Sequence, residues 1–301
     1  MNKEKLEKCY KWCCERFEIA KKQGLSFYNE NKEMSNVMGA LLLFCLILWQ
    51  FFDTSKDFGL NAFTETLGIA VTILLVDKIL TKKEEAKSLP LRAAAYEDVR
   101  FLTTRLIIFW NDLSIASVKG DSPTTVRELL SQEHIQNMAF YLDLDGKPNV
   151  TPPRSWWQWL PEQNKELSAQ ADKILERHMQ SLDPKAYSFI HSLLSDGMLF
   201  KNRGMNVLPM IQSADRHMGF PRPTNLAEYM IEDEESLLPI IELDEWCHKE
   251  FAYLVSKGMT SIKEPYVLSS QNIEEPKSQI QTEKLARQHE NVKAHRAAKA
   301  T

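Results

Sequence analysis

Glycine is scarce. The chain has 10 glycines in 301 residues, about half the usual share, which argues against a glycine-rich nucleotide-binding sheet. Neither sign of charge dominates: 37 Lys+Arg against 41 Asp+Glu leave a net −4, which excludes a nucleic-acid binder that works through an overall basic surface. Five cysteines are present, but not as the paired short motifs of a structural zinc site. No G-x-x-x-x-G-K-[ST], G-x-S-x-G or H-E-x-x-H occurs. The string DLDG at Asp143–Gly146 has the look of a calcium loop, but the position that needs a bidentate carboxylate falls on Pro152. No catalytic, cofactor-binding or metal-ligating residue is therefore assigned, no cofactor is expected, and the chain is not read as an enzyme. Leucine (36) outnumbers valine (11), which favours helix over sheet.

Charge is also missing from two long apolar runs. The first, Met34 to Phe52, has none in 19 residues; the second, Phe58 to Val76, has only Glu65. Each matches a bilayer core of about 30 Å at 1.5 Å per helical residue. Only DTSKD separates them, so a tight antiparallel hairpin of two membrane spans is expected. A secretory signal is excluded, because 33 residues precede the first run and its length exceeds an h-region. Eight Lys/Arg precede the hairpin, one lies in its loop, and Lys78, Lys82, Lys83, Lys87 and Arg92 follow it. By the positive-inside rule both termini are expected to face the cytoplasm, with only DTSKD outside.

Within the hairpin Glu65 stands out. A carboxylate in hydrocarbon neutralises, finds a partner or faces water. It either lines a proton, ion or water path in an oligomer, or is an interfacial Glu in the first turn of a helix capped by Asn61, where the helix dipole favours it. Ser35 with Gly39, and Gly68 with Thr72, have the small-xxx-small spacing of a helix-packing face. Trp49, Phe51 and Phe52 sit where interfacial aromatics are expected. Of Cys9, Cys13 and Cys14 in the leader, the first two share a helical face by their four-residue spacing, and reduced cytosolic thiols are the simplest reading of all three.

The body after the hairpin reads as helical. Four segments follow: an amphipathic leader over 1–33, the hairpin over 34–80, a cytoplasmic helical domain over 81–262 and a polar tail over 263–301. The fold class is thus all-α, a two-span hairpin with a larger cytoplasmic helical domain. Leu89-Pro90 is expected to interrupt the chain before a helix from Arg92 to Ser117, with Val99, Leu102, Leu106, Phe109 and Leu113 on one stripe. Thr125 and Glu128 have capping-box spacing. Residues 141–161 read as irregular, and Trp156, Trp157 and Trp159 as packed onto the core. A helix over Glu166–Gln180 and a second beginning at Asp183-Pro184 follow, with His178 and His191 on or near apolar faces. Residues 228–250 hold nine acidic residues and one basic, on an amphipathic helix closed by Gly258. The last 25 residues carry six Lys/Arg and two Glu, a mobile tail or solvent-facing helix and the one route to direct nucleic-acid binding.

Two strings carry a likeness: TETLGIAVTILLVDKI, Thr64 to Ile79, and ILERHMQSLDPKAYSFIHSLLSD, Ile174 to Asp196. They resemble the second span and the helix–Asp-Pro–helix unit of bacterial two-transmembrane inner-membrane proteins with a helical cytoplasmic domain. Within that group the functional analogy is to retron-type anti-phage membrane effectors. The resemblance implies a homo-oligomer in the bilayer. A cytoplasmic protein or ribonucleoprotein regulator would hold it silent, and it would make the membrane leaky when released. A passive anchor or scaffold that holds a soluble partner at the membrane is the alternative.

Overall fold

The computed structural model describes residues 56–201, 204–229 and 234–300, together with Asn36, Ala40, Leu41, Leu43, Phe44 and Ile47, which are helical. Ser35, Gly39, Trp49, Phe51, Phe52 and the leader cysteines Cys9, Cys13 and Cys14 lie outside the described residues. The chain is mostly helical, as composition predicts. It divides into two units, Met1–Ala86 and Lys87–Thr301. Helix α1 runs Lys56–Ser117. The second unit continues with α2 (Val126–Leu129), α3 (Gln132–Tyr141), α4 (Trp156–His178), α5 (Pro184–Ser195), α6 (Leu208–Met218), α7 (Glu234–Ser256) and α8 (Thr282–Ala300). One short antiparallel pair, β1 (Gly120–Asp121) and β2 (Asn272–Ile273), matches Gly120 to Ile273 and Asp121 to Asn272.

Helix α1 is not interrupted at Leu89-Pro90. Pro90 lies inside it, although a proline in a helix interior removes one backbone hydrogen bond and costs about 3 kcal/mol. The packing that follows offsets this. Tyr96, Val99, Thr103, Leu106, Trp110, Leu113 and Ser117 recur at alternating steps of three and four, and each is at most 2% exposed. Leu102, Ile107, Phe109 and Ser114 widen this seam. A helix that is apolar around most of its circumference must be surrounded, and the end of α1 in the second unit is the centre about which that unit is built.

Its neighbours are tied to it by polar as well as apolar contacts. Phe109 stacks on Trp159 of α4 at 5.5 Å, and the Trp110 indole N–H donates to Met198 Sδ at 3.4 Å. On α7, Cys247 Sγ lies 3.7 Å from Thr103 Oγ1, and Glu250, 4% exposed, is held bidentate by Arg92, with Nη2 donating to Oε2 at 2.6 Å. The Arg92 guanidinium also lies 4.2 Å over the Tyr253 ring. A carboxylate this buried is tolerated only because it is paired.

Local signals set the element ends. Both arms of the Thr125–Glu128 capping box are made. Asp183 caps α5 by accepting from the Lys185 N–H at 2.9 Å, with Pro184 at the first helical position. Gly120 adopts φ 114° and Gly258 φ 87°, conformations that favour glycine. Helix α4 begins ten residues ahead of the expected Glu166 and carries Pro161 internally. Burial of Trp156, Trp159 and Leu160 holds that first stretch in place.

The segment from 263 onward, expected as a polar tail, is woven into the body. The Asp143 N–H donates to Ser278 O, Ile280 N–H to Tyr141 O, and Leu144 N–H to Thr224 O. Lys284 of α8 bridges Asp143 at 2.7 Å and Asp145 at 3.0 Å, so the two carboxylates of DLDG hold an ammonium. Leu285 and Val292 of α8 are buried. A Cβ on Gly146 would meet Ser278 Oγ at 2.7 Å, so this close approach requires glycine.

Arg92→Met is expected to lower the unfolding free energy of the body by about 3 kcal/mol, because Glu250 keeps its buried charge without a partner. Replacing both, Arg92→Met with Glu250→Leu, should recover most of that loss. Denaturant melts followed by tryptophan fluorescence check both, and a double variant no better than the single would refute the account.

Candidate functional site

In the first unit the described part of α1 begins as the second apolar run. Leu67, Ile69, Val71, Ile73, Val76, Ile79 and Leu80 are each between 39% and 57% exposed. At 100° per residue they spread over about two-thirds of the helix circumference. From the earlier run Leu43 and Phe44 are exposed as well, at 62% and 59%. Apolar exposure this contiguous marks a surface that is covered by something else. Among the described residues, no helix is long and apolar enough to cross a membrane; most of the first run, and the side chains at 58–60, 70, 74 and 75 of the second, lie outside them.

The polar residues of this stretch look after themselves. Thr72 donates its hydroxyl to Gly68 O at 2.8 Å, and Thr64 donates to Asn61 O at 2.9 Å. Each satisfies a hydroxyl within its own helix, the arrangement that an apolar environment demands. Glu65 is exposed. Nothing lies within 4 Å of the place a Cβ would take on Gly68, so that side of the helix is open to close approach.

The body brings together groups that no sequence motif announces. His178 Nε2 lies 2.8 Å from Asp98 Oδ2, beside a cavity of about 420 Å³ that Arg105, Lys173 and Arg177 also line. His191, in contrast, is exposed and stacks on Tyr187 at 6.2 Å. Ser114 Oγ is 2.8 Å from His134 Nε2, and burial pushes the imidazole below its ordinary value. This pair is not a hydrolytic dyad. Ser114 is 1% exposed in the middle of α1, so no substrate can approach it, and among the described residues no carboxylate hydrogen-bonds His134 to orient it. It joins α1 to α3. Burial likewise pushes the Cys247 thiol up to about 12, which leaves it inert. Among the described residues no three His, Cys, Asp or Glu gather as a metal site.

Asp112 is different. It lines a cavity of about 300 Å³ with Ile115, Trp156, Trp159, Lys147 and Lys277 among its walls. The residue as a whole is exposed, but the protein packed around its carboxyl still pushes it up to about 6. The three tryptophans of α4 divide accordingly. Trp156 and Trp159 are buried against this cavity, with the Trp156 indole N–H donating to Ser278 Oγ at 2.8 Å. Trp157 packs edge-on to Tyr229 and donates to Asp145 at 3.1 Å. The WWQW string was the signal visible in the sequence; Asp112 had none.

Comparison with known proteins returns no matching family model, no matching curated protein and no matching solved structure.

The sign of the Asp112 shift sets a pH dependence. Folding favours its protonated form, so its ionisation subtracts stability as pH rises from the ordinary value of 3.8 towards about 6, and the loss is complete above that. Asp112→Asn should therefore melt at a higher temperature than the parent above pH 6, with the gain vanishing near pH 4. Equal melting temperatures across that range would refute the assignment.

Proposed function

We propose that the chain is a bacterial inner-membrane effector: its two apolar runs, 34–52 and 58–76, form a transmembrane hairpin, and several hairpins associate to make the bilayer leaky when the helical body is released or triggered. Anti-phage defence is the setting that the resemblance implies. The observation that carries this reading is the exposed apolar surface of α1 between Leu67 and Leu80, which spreads over about two-thirds of the helix circumference and ends on a cluster of lysines. A bilayer covers such a surface without leaving a backbone group unpaired, because a helix satisfies its own. Lys78, Lys82, Lys83 and Lys87 then favour the cytoplasmic interface.

Two spans cannot enclose a pore, so the activity requires a homo-oligomer. Gly68 and Thr72 are the packing positions of this proposal, with Ser35 and Gly39 on the other span, and the open space beside Gly68 accepts the backbone of a neighbouring helix. Glu65 lies near the outer surface, where it reaches water or the lumen of the assembly. Trp49, Phe51 and Phe52 anchor the first span at the same interface. The partner that restrains the body is a cytoplasmic protein or ribonucleoprotein, with the basic residues of α8 the route for any direct contact with nucleic acid.

Expression of the full chain is expected to dissipate membrane potential, read with a voltage-sensitive dye, under the condition that releases the body. Gly68→Ile has room within its own chain and should leave the fold intact while reducing both cross-linked oligomer and leak by about tenfold. Substitution of both runs by an unrelated hairpin should abolish the leak. Retained activity after that exchange identifies a passive anchor instead, and recovery of the chain in the supernatant after ultracentrifugation refutes the membrane reading altogether.

A further inference from the structure

Within the second unit, helix α1 carries two seams of the same period. Tyr96, Val99, Thr103, Leu106, Trp110 and Leu113 belong to the buried one. Leu91, Ala94, Asp98, Phe101, Arg105 and Ile108 repeat the alternating steps of three and four on another side of the helix, and the body leaves this seam open. Leu91 is 61% exposed, Phe101 53% and Ile108 37%, and Ala94 is exposed between them. From Leu91 to Ile108 the open seam is about 26 Å long at 1.5 Å per residue.

Helix α4 forms one edge of it. Arg105 donates to Gln170 Oε1 at 3.1 Å and to Glu166 Oε2 at 2.9 Å, and Asp98 meets His178 Nε2 at 2.8 Å. The two charges on the seam are thus answered within the body. Between these two clasps lies the cavity of about 420 Å³, with Phe101 and Ala169, both exposed, as apolar lining. Its rim carries the charge that is left over. Lys173 is exposed and has no hydrogen-bond or ion-pair partner among the described residues. Arg177, also exposed, reaches Asp98 only at 3.9 Å.

An occupant has to cover a narrow apolar seam about 26 Å long and bring negative charge to one edge of it. A small molecule is too short. A lipid surface or a nucleic acid would press phosphates onto Asp98 and Glu166 as well as onto Lys173 and Arg177. An α-helix meets both conditions. Apolar residues at heptad spacing pack against Leu91, Phe101 and Ile108, Ala94 leaves room for a close approach, and acidic residues on one flank fall opposite Lys173 and Arg177.

We propose that the open seam of α1, with the groove beside α4, is the docking surface for one helix of a partner protein, apolar at heptad spacing towards the seam and acidic along the flank that meets Lys173 and Arg177. The surface does not depend on the membrane reading, and its test reads binding alone, so the two fail separately.

Three fluorescently labelled peptides of three heptads each serve as probes. The first has Leu at a and d with Glu at e and g, the second has Lys in place of Glu, and the third keeps Glu but has Ser in place of Leu. Like charges at e and g keep the first two from pairing with themselves. Each is titrated by fluorescence anisotropy into the full chain in detergent, with the detergent alone as the blank. The Leu/Glu peptide is expected to bind about tenfold more tightly than the Leu/Lys peptide, because ion pairs replace like-charge contacts at the rim, and the Ser/Glu peptide should not bind. Phe101→Ser with Ile108→Ser should weaken binding of the Leu/Glu peptide at least about tenfold with the helical circular dichroism unchanged, whereas Phe140→Ser, an exposed aromatic on α3, should leave it as it was. Lys173→Glu with Arg177→Glu should reverse the preference between the Glu and Lys peptides. Lys173→Glu alone should narrow it, which keeps the proposal testable if the double variant does not fold. No binding by the Leu/Glu peptide, equal or tighter binding by the Leu/Lys peptide, or binding indifferent to Phe101→Ser with Ile108→Ser overturns the proposal. So does a dimer of the chain, seen by light scattering, that the same double variant dissolves, since the occupant is then a second copy.

Discussion

The second unit depends on one constraint: the end of α1 from Lys87 to Ser117 carries a broad apolar seam from Tyr96 to Leu113 that must be buried, while Leu91, Phe101 and Ile108 stay exposed. Burying side chains such as Trp110, Leu102 and Leu106 completely is worth about 1.5–3 kcal/mol each, but only if walls are raised on several sides at once. Helices α3, α4 and α7 supply those walls. The polar groups that this burial strands are matched rather than avoided: Thr103 and Ser117 donate back to carbonyls of α1 itself, at 2.9 and 2.7 Å, Ser114 meets His134, and Glu250 meets Arg92. The two contacts between helices, Ser114 with His134 and Arg92 with Glu250, also fix which helix lies where, something apolar area alone does not specify.

A second joint, at residues 141–146, organises everything that follows in the chain. It receives the 224–226 stretch on one side and the 278–280 stretch on the other through backbone hydrogen bonds, while Lys284 neutralises the two aspartates that would otherwise repel each other there. Gly146 allows Ser278 to come close enough for its hydroxyl to accept from the Trp156 indole. The Asp112 cavity is a by-product of this joint. Its walls come from stretches over 150 residues apart in the chain, and it exists only because the 273–278 segment is drawn back across the end of α1.

One helix thus carries two kinds of apolar surface. From Tyr96 onward most of that surface is covered by the protein's own side chains, and the buried Thr103, Ser114 and Ser117 each have a polar partner. Between Leu67 and Leu80 the described apolar side chains stay uncovered, and the Thr72 hydroxyl donates to Gly68 O in its own helix, as Thr103 and Ser117 do in the core. The first pattern belongs to a folded core. The second suits a surrounding that offers no hydrogen bonds, and it is the reason the proposed function places this stretch among lipid chains and against other copies of itself.

The linear sequence by itself determined the all-α class, the stripe of Val99, Leu102, Leu106, Phe109 and Leu113, and the ends of several helices. Period and capping are properties of neighbours: Thr125 reads Glu128, and Asp183 reads Lys185, across at most three residues. The prolines show where such local reading stops. Pro90 and Pro161 are each read from the sequence as marking a break or an irregular stretch, and each sits inside a helix; at Pro161 burial of Trp159 and Leu160 outweighs one missing backbone bond. Only the tertiary structure decided that Arg92 meets Glu250, 158 residues away, that the C-terminal segment packs instead of trailing, and that Asp112 faces tryptophans across a cavity. A carboxylate's chemistry is set by what surrounds it in space, and the arginine that holds the buried Glu250 becomes its neighbour only when the chain closes on itself.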